Sequence, residues 1–315
     1  MDLILTIVIC LLVAVLAVLI TAGIIAFSIA FARVPLKIGL FSRGDTSPQQ
    51  WHELRNDIDN AIEKLKNTHC EQWYMTSFDG LKLSASFIPV ENAKRTILCV
   101  HGYRSSGYFD FCLAVGHFLD NGCNLLIIDH RAHGRSEGKY ITYGLKERYD
   151  VRDWANVIRE RLGDEMPIYL DGVSMGCATV LMASALDLNP CVKGIIADCG
   201  YTSCYDIIKK VCTADMRIPY FPVIPILNLF FKIRTGYFMN EVRVYDEVKK
   251  TRLPVVFAHG KADDFVPCEM TLKNYDACNS KKWLLISEDA QHGMSYVKSP
   301  EVYKKYISEL FEVCE

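Results

Sequence analysis

Residues 172–176 read Gly-Val-Ser-Met-Gly, placing Ser174 between two glycines. Ile168–Leu170 before it is a short apolar run, and Cys177–Leu186 after it is small and apolar. Strand, sharp turn and helix is the context in which G-x-S-x-G lifts a serine hydroxyl onto the tip of a strained turn. The flanking glycines permit the tight backbone and the close approach of strand to helix. A serine hydroxyl is a weak nucleophile at neutral pH. It needs a base to take its proton and a third group to orient that base. On a sheet of this kind the partners follow in the order serine, acid, histidine. Of eight histidines only His259 and His292 lie beyond Ser174, and only His292 also follows a candidate acid. His292 is therefore expected to be the general base. The acid is expected at Asp263 or Asp264, in the loop after the apolar run Pro254–His259. Site residues project from such loops at the carboxyl ends of strands. Glu288 and Asp289 compete, but they stand immediately before His292 on its own loop. A developing oxyanion needs backbone donors. Met175, directly after the serine, and Tyr103, in the loop His101–Arg104, are the candidates. His101 itself reads as a residue that orders this loop.

The elements that must carry these residues show two periods. Gln72–Ser77 and Leu81–Val90 are strand-like and joined by Asp79-Gly80, a hairpin signal. Arg95–His101, Asn124–Asp129, Pro167–Leu170, Val192–Ala197, Pro254–His259 and Trp283–Ser287 are continuous apolar strands. Helical patterns fall between them at Phe109–Leu119, Tyr149–Arg161 and Ser203–Val211, and Pro300–Glu312 closes the chain. A hairpin followed by strand–helix alternation predicts an α/β fold: a mostly parallel eight-stranded sheet with helices on both faces. One stretch interrupts the alternation. Ala214–Glu241 holds Pro219, Pro222 and Pro225 among aromatic and aliphatic residues. A long insertion at such a place is expected to be functional, here a cap over the site spanning about 213–245.

Composition narrows the classes. A chain of 315 residues, 50% hydrophobic with a net charge of −2, suits one α/β domain plus an appendage and offers no electrostatic reason for a nucleic-acid partner. Its 13 cysteines form no C-x-x-C pair and no zinc-ligand pattern, and several sit in apolar runs. They read as reduced, buried thiols, which favours a reducing compartment. Leu3–Ala32 carries no charged residue and is longer than the ~20 apolar residues a bilayer span requires. Met1-Asp2 lacks the basic start of a secretory signal. Residues 1–33 are therefore expected to form a transmembrane anchor. With Arg33, Lys37 and Arg43 after it, the catalytic part is expected in the cytoplasm. Residues 34–70 are expected to be a linker and an amphipathic helix over Gln50–Lys66 that packs on the domain or membrane surface. The domain proper is expected at 71–315.

HGYRSSG (101–107), DHRAHGRSEG (129–138), TYGLKERYD (142–150), GVSMG (172–176), HGKADDFVP (259–267) and QHG (291–293) together carry a resemblance. From about Glu71 onward the chain resembles the α/β-hydrolase superfamily. The likeness is to its serine-aminopeptidase-like and monoglyceride-lipase-like branch, and among those to bacterial membrane-anchored members. The family's G-x-x-D-x-x-V-P pattern falls on Gly260, Asp263, Val266 and Pro267, so the resemblance selects Asp263 over Asp264. Its oxyanion positions fall on Tyr103 and Met175. Ala132 replaces the commoner glycine of R-G-H-G, in a segment that is structural in the family. The resemblance implies a serine hydrolase that needs no cofactor and no metal. With the apolar insertion and anchor, a hydrophobic acyl ester is the expected substrate. A peptidase, an acyltransferase and a non-catalytic membrane scaffold are the other readings. Asp129, His130, Arg131 and His133 are read as an ordered loop rather than as metal ligands.

Overall fold

The computed structural model describes residues 3–33 and 49–314. The apolar helix α1 (Leu3–Phe31) comes first, then the short helices α2 (Gln49–Glu53) and α3 (Arg55–Lys66). Strands β1 (Glu71–Thr76), β2 (Lys82–Ile88) and β3 (Arg95–Val100) precede α4 (Gly107–Phe111), α5 (Val115–Asp120) and β4 (Cys123–Asp129). Next come α6 (Glu147–Leu162), β5 (Ile168–Val173), α7 (Met175–Ala183), β6 (Val192–Asp198) and α8 (Cys204–Lys210). A π-helical turn, Val211–Asp215, leads to α9 (Tyr220–Thr235) and α10 (Val244–Val248). Strand β7 (Val255–Gly260), α11 (Cys268–Ala277), β8 (Lys282–Ser287), α12 (Ser295–Lys298) and α13 (Pro300–Cys314) complete the fold.

The strands form one sheet in the order β1-β2-β4-β3-β5-β6-β7-β8. β2 is antiparallel to both β1 and β4, and every other pair is parallel. This is the expected α/β architecture with eight strands. Every residue of β3 is buried because helices cover both faces. Leu98 and Val100 face one core with Trp154, whereas Ile97 and Cys99 face the other with Ile307. The period of two along the strand thus feeds two separate apolar layers. All 13 cysteines are free thiols, and Cys99, Cys123, Cys177 and Cys199 are buried.

Three local features differ from the sequence expectation. The single helix expected over Phe109–Leu119 is two, α4 and α5. The helix expected over Gln50–Lys66 breaks at Leu54, which turns Trp51 onto Phe109 while Ile58 and Leu65 stay buried on α3. Helix α11 was not anticipated, although Pro267 before it and Glu269 in its first turn are helix-start signals. The insertion holds one helix of length, α9. Pro219 precedes the helix and Pro222 stands in its first turn, where N–H groups have no intrahelical acceptor, whereas Pro225 lies inside it.

Helix α1 divides into two parts. Nearly all of the described side chains in its first two-thirds are exposed, whereas Gly23, Phe27 and Phe31 are buried and Ala26 and Ala30 pack against the core. These five residues share one helical face. A Cβ on Gly23 would stand 2.5 Å from the Phe230 ring, so glycine is what lets α1 and α9 approach. The Phe31 and Phe231 rings meet at 4.7 Å. Burying the two α1 phenylalanines contributes about 2 kcal/mol each. The stretch expected as an anchor therefore ends in a segment built into the domain. The part of the expected linker at 34–48, with Lys37 and Arg43, lies outside the described residues.

Candidate active site

Ser174 follows β5 directly and precedes the first residue of α7. Its backbone lies at φ 58°, ψ −114°, a region that a residue with a Cβ rarely occupies. The neighbouring glycines explain how the turn closes. A Cβ on Gly172 would stand 2.4 Å from the Gly176 carbonyl oxygen. One on Gly176 would stand 1.8 Å from the Val100 carbonyl oxygen. The Ser174 N–H is tied down by the Asp198 carbonyl of β6 at 2.9 Å, so sheet pairing continues into the strained residue.

The other candidates arrive from the ends of β7 and β8. Nε2 of His292 stands 2.9 Å from Oγ of Ser174, and its Nδ1 stands 2.7 Å from Oδ2 of Asp263. Oδ1 of Asp263 accepts hydrogen bonds from the backbone N–H groups of Phe265 (2.9 Å) and Val266 (2.8 Å), which fix the carboxylate plane. Burial alone would raise the Asp263 carboxyl. His292 and a hydrogen bond from His259 outweigh it and hold the group below the usual carboxylate range. The acid is thus an anion, and an anion at Nδ1 keeps the proton there and leaves Nε2 free to accept one. Ser174, Asp263 and His292 are all buried. The Phe265 ring packs edge-on against the imidazole at 5.1 Å.

The competing acids are elsewhere. Asp264 is exposed, and its carbonyl accepts from Lys210. Glu288 is exposed and pairs with Lys261 at 2.6 Å. Asp289 is also exposed. His259, set aside by chain order, proves to be a second neighbour of the acid, with Nε2 3.1 Å from Oδ2 of Asp263. Its spacing of four residues before Asp263 was the available signal. Cys199, Asp263 and His292 offer donor atoms within 4.8 Å of one another. Burial pushes the Cys199 thiol well above its ordinary range, so it stays protonated, and both imidazole nitrogens already face Asp263 and Ser174. That set suits proton transfer better than metal ligation.

The two candidate oxyanion donors lie on touching segments, since Gly176 at the start of α7 packs directly on Val100 and His101. Neither the Met175 N–H nor the Tyr103 N–H makes a hydrogen bond to a described residue. The loop beside them is closely specified. The Gly102 N–H donates to Asp110 at 2.6 Å, and the Arg104 N–H donates to Nε2 of His133 at 2.9 Å. His101 accepts the His130 N–H at Nε2, 3.1 Å away, as expected of a loop-ordering residue. Chemically, the arrangement holds a hydroxyl, an imidazole base, an anion behind the base and two N–H donors unpaired among the described residues.

Two contributors were not anticipated. The Trp51 indole N–H donates to the His292 carbonyl oxygen at 2.9 Å. Gln50 exchanges hydrogen bonds with Gln291 at 3.0 Å in each direction. No local pattern in the sequence marks either residue, because each acts on a loop far along the chain.

Comparison with known proteins gives a consistent architecture. A family model described as alpha/beta hydrolase fold matches residues 95–222. The uncharacterised protein YqkD of Bacillus subtilis (strain 168) is 29% identical over 294 residues, covering 93% of this chain and 94% of that one. The solved esterase Pf2001 of Pyrococcus furiosus superposes with a TM-score of 0.63 at 22% identity, covering 80% of this chain and 93% of that one. An acylaminoacyl peptidase of Pyrococcus horikoshii superposes with a TM-score of 0.53 at 17% identity, covering 79% of this chain and 43% of that one.

Proposed function

We propose that the chain, whose fold is that of the α/β hydrolases, is a serine hydrolase cleaving a carboxylic ester through an acyl-enzyme. One observation carries the reading: a single imidazole stands 2.9 Å from a strained serine hydroxyl and 2.7 Å from a buried carboxylate. His292 takes the Ser174 proton at Nε2 while Oγ attacks the ester carbonyl carbon. The oxyanion that forms accepts from the Met175 and Tyr103 N–H groups. Asp263 orients the ring and stabilises its cation. Collapse expels the alcohol, which leaves with the proton held by His292. Water then gives a proton to Nε2, attacks the acyl carbon and releases the acid, and the proton returns to Ser174.

The fold by itself does not choose between ester and amide, since it carries both an esterase and a peptidase among the neighbours above. The apolar surroundings favour a hydrophobic acyl ester. Helix α1, at about 43 Å, exceeds the ~30 Å of a bilayer's hydrocarbon and is read as a membrane span. Beside it, α9 is read as the cap, and its exposed side carries Phe221, Leu229 and Ile233. The basic flank at Arg33 favours a cytoplasmic catalytic domain.

A fluorophosphonate probe tests the reaction class: wild type is expected to be labelled and Ser174→Ala not. A series of p-nitrophenyl esters tests the substrate class. Faster turnover of acetate than of longer chains would count against the hydrophobic acyl group, and a preference for the matching anilides would move the reading to a peptidase. A reporter fused after Arg43 tests topology, and its export would reverse the orientation.

A further inference from the structure

His292 stands on the loop between β8 and α12, and Tyr103 on the loop after β3. No ladder of the sheet holds either residue. Both loops are instead gripped by elements that precede the sheet in the chain. Helix α2 grips the histidine loop: the Trp51 indole N–H donates to the His292 carbonyl oxygen at 2.9 Å. The same indole stacks on Phe109, with ring centres 4.8 Å apart and planes 20° apart, so its direction is set. A Cβ on Gly293 would stand 3.2 Å from the indole, so ring and loop are in direct contact. Gln50 adds a reciprocal pair of bonds with Gln291 at 3.0 Å and a third to the Asp289 carbonyl at 2.6 Å.

The end of α1 grips the other loop. The Tyr103 hydroxyl donates to the Ala30 carbonyl at 2.8 Å. The Arg104 guanidinium donates to the Ile29 carbonyl at 2.6 Å and the Ala32 carbonyl at 3.3 Å. The Ile29 and Ala30 carbonyls belong to the last turn of a helix, and Ala32 follows it directly; there no intrahelical N–H remains to satisfy the carbonyls and a cation is favoured. Tyr143 joins the two sides, its ring 5.0 Å from Tyr103 and 5.5 Å from Phe31. Arg104 itself lies at φ 50°, a conformation that such tethers must hold in place.

We propose that the N-terminal segment is a two-point clamp on the catalytic site, with Trp51 a positioning residue for His292 and the carboxyl end of α1 a positioning element for Tyr103. The proposal rests on the serine-hydrolase reading above. A helix that only tethered the enzyme would have no reason to spend its terminal carbonyls on the residue carrying an oxyanion donor. Misplacement of a catalytic group by about 1 Å can cost 10²-fold in rate, so small displacements of these loops have large kinetic consequences.

The test uses the full chain. Trp51→Phe keeps the stacking on Phe109 and removes the N–H. Tyr103→Phe keeps the backbone N–H and removes the bond to Ala30. Each is expected to lower kcat on a p-nitrophenyl ester about tenfold, with KM within about twofold and Tm little changed. A role in stability alone would lower Tm and leave kcat per folded molecule intact. Should Trp51→Phe not fold, Gln50→Ala removes the two side-chain bonds to the same loop, to the Gln291 N–H and the Asp289 carbonyl, from a half-buried residue and serves the same test. Labelling and kcat at wild-type rates in these variants would overturn the clamp alone. Absence of fluorophosphonate labelling in wild type would overturn the triad reading, and the clamp with it.

Discussion

Two groups of buried histidines sit at the carboxyl ends of the same sheet, and they differ in what their nitrogens face. In one, His259 and His292 flank Asp263, and the free nitrogen of His292 faces a hydroxyl. In the other, His101, His130 and His133 cluster with ring centres 4.7 to 6.1 Å apart. There the ring nitrogens of His101 and His133 serve the backbone. His101 contacts the Gly102 carbonyl at 2.7 Å and accepts the His130 N–H. His133 contacts the Arg131 carbonyl at 2.9 Å and accepts the Arg104 N–H. Burial, reinforced by the neighbouring imidazoles, pushes His130 and His133 well below the ordinary imidazole range, so both stay neutral. An imidazole spanning a carboxylate and a hydroxyl can relay a proton. One whose nitrogens are taken by main-chain groups braces a loop. Burial and residue type are the same in both groups, so the partners decide the chemistry.

The contrast can be broken most sharply at the first group. His292→Ala, like Ser174→Ala, is expected to cut kcat by about 10⁴- to 10⁶-fold on an ester substrate, with Tm nearly unchanged. Asp263→Asn comes next, at about 10³- to 10⁴-fold, because an amide no longer holds the proton on Nδ1. In the second group the loss is expected in stability. His133→Ala removes the acceptor of the Arg104 N–H and is expected to cost about 1–3 kcal/mol in urea unfolding, with a far smaller fall in kcat than Asp263→Asn. A kcat loss as deep as that of Asp263→Asn would erase the distinction between the two groups.

The pH dependence of stability sharpens it further. His130 and His133 are depressed in the folded state but titrate near 6.5 when unfolded. Below that value the unfolded chain binds more protons than the folded one, so stability falls as pH falls. Their contribution is complete above about pH 6.5 and is lost progressively beneath it. The smallest expected effect is at His130, whose two ring nitrogens have no hydrogen-bond partner among the described residues. His130→Phe is expected to leave Tm near neutral pH almost unchanged and to flatten the acid slope in Tm measured between pH 7 and pH 5.

Much of the site could be read along the chain. G-x-S-x-G between a strand and a helix, and the order serine, acid, histidine, point to Ser174 and His292 without coordinates. The choice of Asp263 over Asp264 needed the family pattern, and the structure places the Asp263 carboxylate on His292 while Asp264 is exposed. Trp51 and Gln50 were not legible. Their helix reads as an ordinary amphipathic packing element, and the residue that Trp51 bonds is 241 positions away. The carboxyl end of α1 was hidden for a related reason. Gly23, Phe27 and Phe31 are as apolar as the residues before them, so composition could not separate a membrane-length run from a face packed on α9.

By itself, then, the sequence determined the α/β class, the eight strands and the order of the candidate residues. Burial on two faces imposes periods of 2 and 3.6 on neighbouring residues, and sharp turns demand glycine, so these features are written locally. Tertiary structure alone decided which nitrogen meets which oxygen. It brought Ser174 within 2.9 Å of a residue 118 positions away, made a brace of one histidine and a candidate base of another, and closed the N-terminal segment over both loops. Those outcomes depend on the packing of elements distant in the chain, which no local pattern encodes.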